Sequence, residues 1–190
     1  MKMLLTIRLF FALFVVCGGR FAFGQTNLVG TIAPARILVT MAGQYQHLSK
    51  LYYSGEDRPR EPREVVVLNF MSLGCAPCRK ELPLFLEVLR TLDNQPIIQE
   101  SGRKVRFYLI STDPLSAKEE LRKFLVEQKI DPDREVLLDP YKRASSEFGV
   151  LSIPRTFVIS PQGRITADIA GLVDDYKNIL LTGILTALKE

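Results

Sequence analysis

The feature that most constrains this chain is a stretch in which an apolar strand pattern passes directly into a helical pattern, with two cysteines at the junction. Val65–Phe70 is an apolar run typical of a strand that is buried on both faces. Cys75 and Cys78 follow with two residues between them, and a helical pattern starts at Cys75 and extends to about Thr91. The stretch therefore predicts a buried strand that delivers a cysteine pair to the first turn of a helix.

The start of this helix favours reactive sulfur. A helix that begins at Cys75 directs its unpaired backbone N–H groups and the positive end of its dipole at that residue. Both effects favour the thiolate, which is the nucleophilic form of cysteine. Pro77 suits the first turn, where the N–H group that proline lacks would have no helical partner. The spacing brings Cys78 within bonding distance of Cys75, so the pair is interpreted as a redox centre.

Two other interpretations of the cysteine pair are less favourable. A structural zinc site needs four cysteine or histidine ligands, but the rest of the chain offers only Cys17 and His47. A purely structural disulfide is the second alternative, and a bridge that closes so short a loop removes little entropy from the unfolded chain. No metal or cofactor is therefore predicted. His47 has no neighbouring motif that indicates a ligand or a catalytic base.

Residues 1–24 have the pattern of a secretory signal. Two basic residues, Lys2 and Arg8, precede the apolar run Leu9–Cys17, and an A-x-G cleavage pattern ends at Gly24. The apolar run is far shorter than the ~20 residues that span a bilayer, so no membrane span is expected after cleavage. The protein is therefore expected in the periplasm or cell envelope, where disulfides persist.

Two fates of Cys17 are compatible with this leader. Cleavage before Gln25 removes it with the signal, whereas lipid attachment at Cys17 would retain it. Lipoprotein signals carry a small residue where this chain has the bulky Phe14–Val16, which favours removal.

The charge of the chain does not indicate a nucleic-acid partner. The sequence has 25 Lys and Arg residues against 21 Asp and Glu, a formal net charge of +4. Part of this excess, Lys2, Arg8 and Arg20, lies within the predicted signal. The rest is almost balanced, and nucleic-acid surfaces require a strong basic patch.

The chain divides into three parts. After the predicted signal, residues 25–64 form an N-terminal extension with an apolar run at Ile37–Val39, interpreted as an edge strand, and a mixed-charge loop at Ser54–Glu64. Gln44–Tyr53 fits either a helical turn or part of a hairpin. Residues 65–190 alternate strand and helix patterns and end with two strands and a helix. This order predicts an α/β domain with a mixed central sheet flanked by helices on both faces.

Local signals place the elements within residues 65–190. Asp113 and Pro114 predict a helix start with Asp113 as the N-cap, and Gly149 ends a short helix. The patterns predict a polar connection at 93–104, strands at Val105–Ile110, Glu135–Leu138, Arg155–Ile159 and Arg164–Ala170, and helices at 113–130, Tyr141–Phe148 and Leu172–Lys189.

The sequence resembles the thioredoxin superfamily and, within it, the exported TlpA/ResA-like thiol-disulfide oxidoreductases. The resemblance rests on VLNFMSLGCAPCRKELP at 67–83 and LLDPYKRASSEFGVLSIPRTFVISPQGRI at 137–165. It implies a thioredoxin-like fold and electron exchange with the cysteines of a partner protein, as the reductant, with a second redox partner upstream. Cytochrome c maturation is one setting in which such proteins act.

The resemblance also implies roles for individual residues. Cys75 corresponds to the exposed attacking thiol, and Cys78 to the thiol that resolves the mixed disulfide. Glu81 is expected to exchange a proton with Cys78, although a solvated helix acid is an equally open interpretation of this residue. The Ile153–Pro154 bond is expected to be cis and to face the disulfide, with the backbone of Ile153 pairing with substrate.

This chain departs from the family pattern beside the first cysteine. The family usually has tryptophan there, whereas this chain has Gly74 and contains no tryptophan. The expected substrate surface consists of Gly74, Ala76 and Pro77 together with Ile153 and Pro154. The aromatic platform beside the attacking sulfur is missing, so the substrate cannot be inferred from other family members.

Two other functions are kept as alternatives. A peroxiredoxin-like peroxidase requires a P-x-x-x-T-x-x-C pattern, but Met71 and Ser72 precede Cys75 here. A copper-delivering or docking module on the same fold uses a wider cysteine pair and a later histidine. In this chain His47 comes before the motif.

Overall fold

The computed structural model describes residues 26–52, 64–92 and 95–190. The predicted signal with Cys17, and the mixed-charge loop apart from Glu64 itself, lie outside the described residues. The strands are β1 (Ile37–Thr40), β2 (Tyr45–His47), β3 (Val65–Met71), β4 (Val105–Ser111), β5 (Val136–Leu138), β6 (Arg155–Ile159) and β7 (Ile165–Ala170). The helices are α1 (Ser49–Tyr52), α2 (Ala76–Leu92), α3 (Pro96–Ser101), α4 (Lys118–Glu127), α5 (Pro132–Glu135), α6 (Arg143–Glu147) and α7 (Tyr176–Lys189).

The strands form one mixed sheet in the order β2-β1-β5-β4-β3-β6-β7. β3, β4 and β5 run parallel, and the other neighbouring pairs are antiparallel. β3 lies between β4 and β6, and all seven of its residues are buried. The predicted α/β fold with a mixed central sheet is confirmed.

Two apolar cores cover the two faces of the sheet. On β3, Val65, Val67 and Met71 face the core that contains α2, α4 and α7, whereas Val66, Leu68 and Phe70 face the core that contains Tyr52 of α1 and Ala144 of α6. This alternation follows from the two-residue period of a strand. An apolar run without polar alternation is therefore what a strand between two helical layers requires.

The described part of residues 25–64 belongs to the same sheet. β1 pairs with β5, and β2 pairs with β1, so β1 lies one strand inside the edge rather than at the edge as the sequence suggested. Both alternatives for Gln44–Tyr53 occur, because β2 forms a hairpin with β1 and α1 follows directly. Within the described ranges, no helix is long and apolar enough to cross a membrane.

Two predictions about connections were wrong. The polar connection contains α3, which begins with Pro96 and ends at Gly102 in the left-handed conformation (φ 62°). Ile97 and Ile98 pack against the core, and six residues are too few for helical periodicity to be recognised.

Asp113 does not cap a helix. A 3₁₀ turn at Leu115–Ala117 precedes α4. The Asp113 carboxylate instead accepts a hydrogen bond from the N–H of Leu73, in the loop between β3 and α2.

α7 packs directly onto β7 through Gly183. A Cβ atom placed on Gly183 would lie 2.5 Å from the Cβ of Ala167, which is far inside van der Waals contact. The hydroxyl of Thr166 also donates to the carbonyl of Gly183 at 2.9 Å. The helix can therefore lie this close to the sheet only because the residue at this position has no side chain.

We expect Gly183→Ala to lower the free energy of unfolding by about 1–3 kcal/mol, because the added methyl group forces α7 away from the sheet. Alanine would otherwise favour a helix by roughly 1 kcal/mol over glycine, so the sign itself is informative. Urea unfolding measures the change. Thr182→Ala, at an exposed position of the same helix, is the control and should stay within about 0.5 kcal/mol. A stabilised Gly183→Ala variant would contradict the close packing.

Candidate active site

The loop between β3 and α2 is held by the end of β4. The N–H of Leu73 donates to both carboxylate oxygens of Asp113, at 3.1 and 3.0 Å, and Ser111 donates its hydroxyl to the same carboxylate at 2.9 Å. The N–H of Thr112 donates to the carbonyl of Met71 at 2.9 Å. The backbone that leads to the cysteine pair is therefore fixed before the helix begins.

Cys75 and Cys78 form a disulfide with sulfur atoms 1.97 Å apart. Cys75 is the residue before α2 and caps the helix, because its Sγ accepts the N–H of Cys78 at 3.1 Å and its carbonyl accepts the N–H of Arg79 at 3.2 Å. Cys75 is partly exposed, whereas Cys78 is 2% exposed. The predicted bonding between the two cysteines is confirmed, with Cys75 as the cap rather than the first helical residue.

A second segment, distant in sequence, meets the pair. The Ile153–Pro154 peptide bond is cis, as the resemblance implied. The carbonyl oxygen of Ile153 lies 3.7 Å from the Sγ of Cys75. Ile153 is partly buried and makes no main-chain hydrogen bond to the described part of the chain, while Pro154 is buried. The sulfur therefore lies beside a backbone segment whose N–H and carbonyl groups are available for main-chain hydrogen bonds with a bound polypeptide.

The chain neighbours of Cys75 are exposed. Gly74, Ala76 and Pro77 are all exposed, and a Cβ atom on Gly74 would meet nothing within 4 Å. Leu151, two residues before Ile153, is 70% exposed. This surface is open enough for a polypeptide to approach, and its role as the substrate surface stays a prediction.

Glu81 lies in the protein interior on α2. Its side chain is 1% exposed, so the interpretation as a solvated helix acid was wrong. Asn69 donates its side-chain amide to Oε1 of Glu81 at 2.7 Å, and Thr156 donates its hydroxyl to the same atom at 3.3 Å. Burial raises the pKa of Glu81 to about 7, and the smaller effects of hydrogen bonds from Asn69, Thr156 and Tyr176 lower the pKa. The carboxyl group therefore titrates near neutral pH.

Glu81 follows Cys78 by three residues, so the two side chains are neighbours on one face of α2. Both are buried, which places a proton acceptor in the interior behind the pair. Proton exchange between them remains the prediction that the resemblance made.

Sequence reasoning missed three members of this site: Asn69, Thr156 and Tyr176. Asn69 could have been noticed, because it is the polar residue in an otherwise apolar buried strand, and such a residue needs a partner. Thr156 and Tyr176 carry no such signal, since threonine is common in strands and tyrosine is common in cores.

His47 does not join the cysteine pair. It lies on the edge strand β2, and β1, β5 and β4 separate that strand from β3. Within the described ranges, no group of three or more His, Cys, Asp or Glu side chains is arranged to hold a metal ion.

The sequence match to known proteins covers most of the chain. A model of the AhpC/TSA family matches residues 29–168. The chain belongs to the AhpC/TSA family. Among curated relatives of this AhpC/TSA-family protein, the thiol-disulfide oxidoreductase ResA of Bacillus subtilis is 23% identical over 168 residues, which covers 86% of this chain and 82% of ResA. The thiol:disulfide interchange protein DsbE homolog of Paracoccus denitrificans is 29% identical over 163 residues, with coverages of 85% and 78%.

Solved structures agree with the fold. A thioredoxin-family thiol:disulfide interchange protein of Chlorobium tepidum has a TM-score of 0.59 at 22% identity and covers 84% of this chain and 97% of its own. The thioredoxin domain of a thiol-disulfide oxidoreductase of Bacteroides vulgatus has a TM-score of 0.60 at 22% identity, with coverages of 82% and 97%. With the names of the curated relatives, this confirms the predicted class: the AhpC/TSA-family protein is a thioredoxin-like thiol-disulfide oxidoreductase.

The raised pKa of Glu81 makes folding stability depend on pH. The pKa is about 7 in the folded protein against an ordinary value of 4.5, so the folded state holds the proton more tightly than the unfolded state. Stability contributed by this proton is fully present below the ordinary pKa and is lost as pH rises towards 7.

As pH rises from about 4 to about 8, we expect the free energy of unfolding of Glu81→Gln to increase relative to that of the wild type by up to about 3 kcal/mol, because glutamine has no charge to bury. Urea unfolding of the oxidised protein at several pH values measures this difference. Glu87→Gln is the control, since Glu87 is exposed on the same helix and pairs with Lys177 at the surface, and its effect should change little with pH. Parallel pH dependences of wild type and Glu81→Gln would show that Glu81 titrates normally.

Proposed function

We propose that this chain is an exported oxidoreductase that reduces a disulfide of a partner protein and is then reduced again by an upstream dithiol. One observation carries the proposal: the Sγ of the partly exposed Cys75 caps α2 beside the backbone of Ile153, with Cys78 and Glu81 buried behind it. This arrangement separates an accessible nucleophile from a sheltered resolving thiol.

In the first step, the thiolate of Cys75 attacks one sulfur of the partner disulfide. A bond forms between Cys75 and that sulfur, the partner's own disulfide breaks, and its other sulfur leaves as a thiolate. The N–H of Cys78 and the helix dipole stabilise the attacking thiolate. The backbone of Ile153, which makes no main-chain hydrogen bond within the described ranges, holds an extended segment of the partner in the manner of strand addition.

In the second step, Glu81 accepts the proton of Cys78 as that sulfur attacks Cys75. The Cys75–Cys78 disulfide forms again, and the bound sulfur of the partner leaves as a second thiolate. The partner has then gained two electrons, and the cysteine pair has lost two. When the upstream dithiol reduces the pair, the steps reverse and Glu81 returns its proton to Cys78.

Export and direction rest on the sequence. Lys2, Arg8 and the apolar run Leu9–Cys17 support a secretory signal. The direction of electron flow rests on the resemblance to TlpA/ResA-like reductants, because the relative reduction potentials of the pair and its partners decide it.

The proposal predicts different trapping by the two cysteine variants. Reduced Cys78→Ala, mixed with an oxidised peptide that contains two cysteines, should form a stable one-to-one mixed disulfide, because no second thiol remains to resolve it. Cys75→Ala should form little, because the buried Cys78 is inaccessible. Non-reducing gels and mass spectrometry distinguish the products. Equal trapping by both variants, or by neither, would contradict the assigned roles.

Turnover tests the role of Glu81 and the peroxidase alternative. Glu81→Gln should slow release of the reduced peptide by roughly 10²-fold at neutral pH, as expected for loss of a general base.

Hydrogen peroxide, used as the oxidant in place of the peptide disulfide, tests the peroxidase alternative. Rapid oxidation of the reduced wild type by peroxide, together with slow reaction with the peptide disulfide, would favour the peroxidase instead.

A further inference from the structure

A closed group of polar side chains surrounds Glu81. Asn69 of β3, Thr156 of β6 and Tyr176 of α7 meet Glu81 of α2 in the interior, and each of them is at most 4% exposed. The hydroxyls of Thr156 and Tyr176 lie 3.1 Å apart, and Asn69 donates to Thr156 at 2.8 Å. We call these four side chains the Glu81 cluster.

The hydrogen-bond donors and acceptors of the cluster favour the ionised form of Glu81 over the protonated form. Both N–H groups of the Asn69 amide are used, one on Glu81 and one on Thr156. The Thr156 oxygen therefore accepts from Asn69 and keeps its own proton for a neighbour. With Glu81 ionised, the carboxylate can accept from Asn69 and from both hydroxyls. With Glu81 protonated, its O–H competes with those hydroxyls for acceptors.

The two hydroxyls thus oppose the effect of burial. Hydrogen bonds from Thr156 and Tyr176 lower the pKa of Glu81, whereas burial raises it. The Glu81 carboxyl in turn raises the pKa of Tyr176, in the same direction as burial, so the tyrosine stays a neutral donor. The carboxylate is stabilised by donors that carry no charge of their own.

The charged groups of the adjoining elements face elsewhere. On β6, Arg155 pairs with Asp168 of β7 at 2.5 Å and lies over the Phe157 ring, on the opposite face of the sheet from Thr156. On α7, Lys177 pairs with Glu87 of α2 at the surface. On α2, Arg79 and Lys80 are exposed, and Cys78 is the titratable neighbour of Glu81 when reduced. Among the described side chains that contact Glu81, the groups that stabilise its charged form are therefore the uncharged donors Asn69, Thr156 and Tyr176.

We propose that the hydroxyls of Thr156 and Tyr176 hold the carboxylate form of Glu81 and thereby set the pH range in which the resolving thiol is activated. The two residues act as positioning residues, through Glu81 rather than on the sulfur atoms. The inference rests on the proton transfer proposed above for Glu81, and its first test does not depend on that transfer.

The first test follows the carboxyl group itself. Tyr176→Phe and Thr156→Val each remove a hydroxyl and keep the size and shape of the side chain. In the oxidised protein with ¹³C-labelled glutamate, the Glu81 carboxyl signal is assigned by its loss in Glu81→Gln. Each variant should move the titration midpoint of this signal upward by about half a pH unit or more, because the carboxylate loses a hydrogen-bond donor.

The second test follows the reaction. The pH dependence of the rate at which the mixed disulfide with the model peptide is resolved should have its midpoint shifted to higher pH in both variants. At about pH 7 the rate should fall about two-fold or more, while the plateau at high pH should equal that of wild type within error, because Glu81 is then ionised in every variant. In a Glu81→Gln background, adding Tyr176→Phe should cause no further shift.

Tyr52 provides a matched control. It is fully buried, and its hydroxyl donates to the carbonyl of Pro34 at 2.7 Å, in the core on the other face of the sheet. Tyr52→Phe also loses a buried hydrogen bond and should lower stability, but it should leave both the carboxyl titration and the pH profile unchanged.

The outcomes separate this inference from the proposed function. An unchanged Glu81 titration in the folded Tyr176→Phe and Thr156→Val variants would overturn the inference, and so would a shift as large in Tyr52→Phe. If only one of the two variants folds, its titration decides. If both shift the Glu81 titration but Glu81→Gln keeps the wild-type pH profile of resolution, the hydroxyls hold the carboxylate as inferred, whereas the proposed proton transfer fails and with it the inferred control of the pH range of resolution.

Discussion

The hydrogen bond from the N–H of Cys78 to the Sγ of Cys75, at 3.1 Å, is the interaction on which the site depends. It makes a sulfur atom the cap of α2, where the first N–H groups of a helix have no helical partners. That placement requires the backbone before the helix to be fixed, and Asp113 fixes it by accepting the N–H of Leu73. The reactive position is therefore determined by the ends of two parallel strands, β3 and β4.

Behind this cap the protein buries a carboxyl group without a basic partner among the described residues that contact it. An ionised carboxylate in such a place is unfavourable, and burial alone would keep Glu81 protonated well above its ordinary range. Uncharged donors from β3, β6 and α7 partly offset this cost. The result is a group that can both take and return a proton near neutral pH, which two-way exchange with the resolving thiol requires.

The parts of the structure that the sequence predicted are those with contiguous signals. Val65–Phe70, Cys75 and Cys78 lie within one short stretch, so local patterns were enough to place the strand, the pair and the helix. The position of β1 was not predictable in this way, since pairing with β5, far along the chain, determines it. The hydrogen bond of Thr156 to Glu81 joins residues 75 positions apart. Only tertiary packing brings such residues together, and neither carries a local pattern that reveals the contact.

The most direct test of the site is the order in which the two reduced cysteines react. The purified chain is fully reduced, treated with limiting iodoacetamide at about pH 6, and digested for mass spectrometry, so that only a stabilised and accessible thiolate reacts quickly. We expect Cys75 to be alkylated first, with Cys78 largely unmodified at early times. Equal alkylation of the two cysteines, or faster alkylation of Cys78, would contradict the assignment of Cys75 as the activated sulfur that caps α2.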